Sequence, residues 1–76
     1  MQREIEIRGD TIRLGQLLKL AGVVGSGGDV RDLLASEEVL VNGEPEERRG
    51  RQLHLGDVVV LGDLTLRVSP QARPEL

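Results

Sequence analysis

The sequence predicts a small α+β domain, on three observations. A charged segment near the N-terminus alternates apolar and polar residues with period two, two apolar stripes of helical spacing flank a glycine-rich turn, and two hairpin signatures follow. At 76 residues the chain has room for one domain and hardly more.

From Arg3 to Arg8, Ile5 and Ile7 alternate with Glu4, Glu6 and Arg8, as in a half-buried strand. Gly9-Asp10 breaks the pattern, and Asp10 or Thr11 is placed to cap a helix in which Leu14, Leu17, Leu18 and Ala21 form one stripe. Arg13, Gln16 and Lys19 lie off that stripe, so the helix carries a polar face with two cations. Gly22 to Gly28 (GVVGSGG) holds four glycines and reads as a tight connection. Ser26 is a candidate N-cap, with Asp29 three positions on in an approximate capping box. Val30, Leu33 and Leu34 supply the second stripe, and that helix is expected to end near Ser36.

Val39 to Val41 followed by Asn42-Gly43 predicts a strand entering a type I′ turn, because both turn positions need positive φ. Pro45 cannot donate to a sheet ladder, so Glu44 to Arg51 reads as a loop or ragged edge, with Leu53 and Leu55 returning to the core. Val58 to Leu61 and Leu64 to Val68 form a second hairpin across Gly62-Asp63. The domain therefore spans 1–68, and 69–76, with Pro70 and Pro74, is expected to be a flexible tail.

Composition excludes several chemistries. Without cysteine there is neither a disulfide nor a thiolate zinc site, and a reducing cytoplasmic setting suits the chain. No signal peptide and no run of about 20 apolar residues is seen, so no membrane role is expected. Phe, Tyr and Trp are absent, which leaves a thin aliphatic core and no aromatic platform for stacking bases. His54 stands alone between two leucines and reads as a surface or packing residue. GVVGSGG lacks the Lys and Ser/Thr of a P-loop. Glu44, Glu46 and Glu47 read as a solvated loop neutralised by its neighbours rather than as acid–base machinery. No nucleophile–base pair or cofactor loop is present, so an enzyme is not expected and no cofactor is called for.

The net charge is −3, but the signs are segregated. Arg48, Arg49 and Arg51 crowd one short stretch, while acids gather at Glu37-Glu38 and Glu44 to Glu47. Several converging cations are what a phosphate backbone needs, and a planar guanidinium takes two phosphate oxygens at once. A solvated, functionless RRGR loop is the competing reading. Ser26, Gly27 and Gly28 would offer N–H groups to an anion at a helix start, against the alternative of plain capping.

Two short helices about a Gly/Ser turn and a strand closing on VNGE resemble the αL motif of the ribosomal-protein-S4-like RNA-binding domains, over about residues 11–61. LGQLLKLAGVVGSGGDVRDLL (Leu14 to Leu34), VLVNGEPEERRGRQL (Val39 to Leu53) and Leu55-Gly56-Asp57 are similar to small stand-alone bacterial members. The resemblance implies two helices packed on a small, mainly antiparallel sheet, docking structured ribosomal or transfer RNA, in a translation- or ribosome-related setting. It places RNA contacts at Arg31, after the GSGG turn, and at Arg48, Arg49 and Arg51. Lys19, Arg13, Ser26, Gly27, Gly28 and Asn42 complete the candidate RNA-binding set. Glu37 and Glu38 stand where the family commonly has Gly, which should weaken nonspecific RNA binding. A monomer is expected, with the ribosome or a ribosome-associated protein as a further partner. The alternative is a protein-interaction adaptor using the mixed Glu/Arg loop.

Overall fold

The computed structural model describes residues 1–71. Along the chain run β1 (Gln2–Ile7), β2 (Thr11–Arg13), α1 (Leu14–Leu20), α2 (Gly27–Ser36), β3 (Val39–Val41), β4 (Glu44–Pro45), β5 (Gln52–His54), β6 (Val58–Leu61) and β7 (Leu64–Pro70). Five strands form one sheet in the order β1-β7-β6-β3-β4, and β2 pairs with β5 in a separate ribbon. The pairings are antiparallel except that of β1 with β7, so the expected α+β layout holds.

The core is aliphatic. Leu14, Leu17 and Leu18 of α1 are fully buried, and they share one core with Val30 and Leu34 of α2 and the sheet residues Val41, Val59 and Leu66. Period two places Ile5 and Ile7 of β1 inward while Glu4 and Glu6 stay exposed. Asn42 and Gly43 adopt φ of 52° and 86°, the positive pair that a two-residue hairpin turn requires. Asn42 is fastened further: its amide donates to Asp57 Oδ1 (3.2 Å) and accepts from the Val58 N–H (3.0 Å).

Three expectations need correction. Neither Asp10 nor Thr11 caps α1: Thr11 to Arg13 is a strand paired with His54 to Gln52, so the helix starts only at Leu14. The helical stripe beginning at Leu14 says nothing about the residues before it, and Ile12, β-branched and half-buried, fits a strand facing Leu53. Leu55 does not return to the core; it is 40% exposed, while Leu53 is fully buried. Alternation alone would put Leu55 on the inward face with Leu53, but β5 ends at His54 and the turn at Gly56 carries Leu55 off that face. Finally, Ser69 and Pro70 continue β7 opposite Glu6 and Ile7, two residues into the segment expected to be a tail. Residues 72–76 lie outside the described residues.

Candidate nucleic-acid interface

The arginine loop is built around one carboxylate. As the chain leaves β4, the Glu46 N–H donates to the Val39 carbonyl (2.8 Å), which draws the residue inward to 7% exposure. Its Oε2 accepts from the backbone N–H groups of Glu47 (3.1 Å) and Arg48 (3.0 Å) and from Arg48 Nε (3.1 Å). Its Oε1 accepts from an Arg51 guanidinium nitrogen at 2.9 Å and a second Arg48 nitrogen at 3.4 Å. These bonds, the Arg48 guanidinium's first, outweigh desolvation and pull the carboxyl from 4.5 to about 2. Glu46 therefore stays ionised at neutral pH and holds two of the three loop arginines. The same bond raises Arg48 above the usual guanidinium value.

Arg49 lies between them, and the carboxylate does not hold it. The Arg49 carbonyl accepts from the Gly15 N–H (2.9 Å) and the Arg51 carbonyl from the Leu14 N–H (2.9 Å). The loop thereby satisfies the first donors of α1, a task that otherwise falls to a side-chain cap. A Cβ at Gly15 would sit in ordinary contact, 3.4 Å from both Arg49 Cβ and Arg49 O, so a side chain larger than a methyl group would press on the loop. So seated, Arg49 borders two grooves. Arg31, Leu34, Ala35 and Glu47 line one, and Arg13, Gln16, Lys19 and Gly50 are among those lining the other. Arg49 thus borders one groove with Arg31 of α2 and a second with Arg13 of β2 and Lys19 of α1.

A profile of the S4 domain family matches residues 5–69. The chain belongs to the S4 domain family. It is also similar to the protein named probable ribosome maturation protein RlbA of Bacillus subtilis (strain 168), 54% identical over 59 residues, which is 78% of this chain and 83% of that protein.

Other candidates of this S4 domain border neither Arg49 groove. Arg48 borders a different groove, beside Glu37, Glu38 and Glu47, so its charge sits in acidic surroundings. Ser26 caps α2, its Oγ accepting from the Asp29 N–H (3.3 Å). The Asp29 carboxylate accepts from Gly25 N–H (3.3 Å), not from Ser26 as a capping box would have it, and its charge already sits beside that helix start. Ser26 and Gly28 line neither of the two Arg49 grooves. Asn42 belongs to the turn bonded to Asp57 and Val58.

Sequence reasoning missed Glu46, which it grouped with Glu44 and Glu47 as solvent-facing. Those two are exposed. The available signal was its spacing, two residues before Arg48 and five before Arg51, which lets one carboxylate reach both. Asp57 is a second organising carboxylate: burial pushes its carboxyl up, but bonds from His54 N–H and the Asn42 amide bring it below its ordinary value. Among the described residues no group of three His, Cys, Asp or Glu side chains is placed to hold a metal ion, and no helix is long and apolar enough to cross a membrane.

Proposed function

We propose that this S4-domain protein is a cytoplasmic, monomeric, non-enzymatic RNA-binding module that docks structured ribosomal or transfer RNA and serves ribosome maturation or translation. Family membership and the likeness to a protein named for ribosome maturation support the RNA-binding, ribosome-related part of this reading. The observation that carries the rest is the position of Arg49 between two grooves that also hold Arg31, Arg13 and Lys19. With no aromatic residue in the sequence, base stacking on rings is excluded, and the RNA must be held by charge, guanidinium planes and shape. Four cations facing one duplex phosphate surface would give a salt dependence with a slope of about −3.6 in log affinity against log salt.

Filter binding of purified ribosomal RNA and transfer RNA across a salt series tests this. Affinity should fall as salt rises, and Arg49→Ala with Arg31→Ala should weaken binding and flatten the slope by about 2. Binding that ignores salt, or a double variant that binds like the wild type, overturns the proposal.

The groove lined by Glu37, Glu38 and Glu47 favours a second reading, an adaptor that takes a basic protein segment. Its sign would be a pull-down that survives nuclease and is lost on neutralising those three acids. Glu46 is not available to such a partner, because its carboxylate is already occupied.

A further inference from the structure

We infer that Glu46 is a positioning residue for the RNA-contacting surface: by holding Arg48 and Arg51 on one buried carboxylate it fixes the loop that presents Arg49, and so favours folded RNA over arbitrary polyanions. The inference rests on the RNA-binding reading above and deepens it.

A buried acid in the middle of a proposed phosphate-binding loop is at first sight a defect, since it cancels a charge the RNA would use. Its geometry gives it another task. Glu46 is anchored through its own N–H to Val39, grips the loop backbone through the N–H groups of Glu47 and Arg48, and takes the guanidinium groups of Arg48 and Arg51. The Arg51 N–H in turn donates to the Arg48 carbonyl (3.1 Å), closing the turn that holds Arg49 and Gly50. With the Arg49 and Arg51 carbonyls seated on the start of α1, the main chain is held on both sides of Arg49, and its side chain is left to meet a ligand.

Two consequences follow for binding. A loop backbone already held in place loses little freedom when a complex forms, so a ligand whose phosphates match the fixed position of Arg49 gains relative to one that does not. One negative charge among three guanidiniums also lowers the loop's attraction for any polyanion, which falls hardest on ligands held by charge alone. Removing the Glu46 charge should therefore move the two ligand classes in opposite directions. A carboxylate that merely quenched charge would move both the same way.

The test compares the full chain with Glu46→Gln, Glu46→Asp, Arg51→Gln and Arg49→Ala. Each is titrated with folded ribosomal RNA and with poly(U) across a salt series, and folding is followed by circular dichroism. For Glu46→Gln, affinity for poly(U) should rise with a salt slope steeper by up to about 0.7, while affinity for folded ribosomal RNA falls on the order of tenfold. Glu46→Asp, charged but shorter, should lose part of the preference. Arg51→Gln should also lose part of it, and these two variants decide the matter should Glu46→Gln not fold.

Equal strengthening toward both RNAs, or an unchanged ratio of affinities in the folded variants, overturns the role of Glu46. Arg49→Ala separates this from failure of the underlying reading. If that variant binds ribosomal RNA as the wild type does, the RNA interface itself is wrong. If it weakens binding while the Glu46 and Arg51 variants keep the preference, only the positioning role falls.

Discussion

Gly15 is where the first helix accepts the arginine loop, and two substitutions there should behave oppositely. A Cβ at this position would meet Arg49 Cβ, Arg49 O and Val30 Cγ1, each at 3.4 Å, the near limit of ordinary contact. Gly15→Ala adds only that atom and improves helix propensity by up to about 1 kcal/mol, so its stability should stay within about 1 kcal/mol of the wild type. Gly15→Val adds two further carbons against the Arg49 carbonyl and Val30. Overpacking of this kind costs roughly 1–3 kcal/mol, and losing the 2.9 Å bond from Gly15 N–H to Arg49 O costs about 1 more. In a domain of this size each kcal/mol moves the melting temperature by about 4–8 °C, so the valine variant should melt on the order of 10–25 °C lower. Thermal circular dichroism gives both midpoints, and urea unfolding checks that the slope is unchanged. A valine variant that melts with the alanine one would mean that the loop does not rest on the helix, and the account of how Arg49 is placed would be wrong.

Other outcomes follow from the same geometry. Asn42→Ala removes both bonds to the β6 side and puts a Cβ residue without a local polar partner at φ 52°, so it should lose about 2–3 kcal/mol in urea unfolding; an unchanged midpoint would show the turn holds without that side chain. Leu53→Ala, at a fully buried site, should cost about 2–5 kcal/mol, whereas Leu55→Ala, 40% exposed, should cost well under 1 by the same measurement. Because the folded Glu46 carboxyl titrates at about 2 and an unperturbed one at 4.5, the stability tied to its charge is fully present above about pH 4.5 and lost as pH falls through about 2. Urea midpoints between pH 2 and 7 should show that acid-side decline, and Glu46→Gln should reduce it; equal declines in the two proteins would remove Glu46 as its source. Arg48, already bonded to Glu46 and bordering the acidic groove, should matter less than Arg49 for ribosomal RNA, so Arg48→Gln weakening binding more than Arg49→Gln would reverse the ranking.

Much of the fold was legible because its signals are local. Helical spacing of Leu14, Leu17 and Leu18, the Asn42-Gly43 turn and the Val58 to Val68 hairpin each depend on neighbours in sequence, and each appears where expected. What escaped depends on partners far along the chain. Thr11 to Arg13 becomes a strand only because Gln52 to His54 lies beside it, and Ser69 is held in β7 by its pairing with Glu6 and by the bond from Ser69 Oγ to Glu4 (2.8 Å). The site divides in the same way. The chain's cations could be counted, and VNGE with RRGR pointed to the family, but which arginine a buried acid claims is decided by the depth at which Glu46 sits. The residue letters give the spacing of Glu46 from Arg48 and Arg51 but not its burial.

The parallel seam between β1 and β7 joins the two ends of the domain. Met1 meets Asp63 and Thr65 across 62 or more residues, and Arg3 reaches the Ala21 carbonyl (2.9 Å) from the same strand. A nascent chain therefore waits, with its opening strand unmated along this side, until nearly all of the domain has left the exit tunnel. Contacts so distant in sequence make assembly slow for a small protein. Until then Ile5 and Ile7 have no lasting shelter, and a synthesis that stalls before Leu64 would release a sticky, unfinished sheet instead of a shortened working domain.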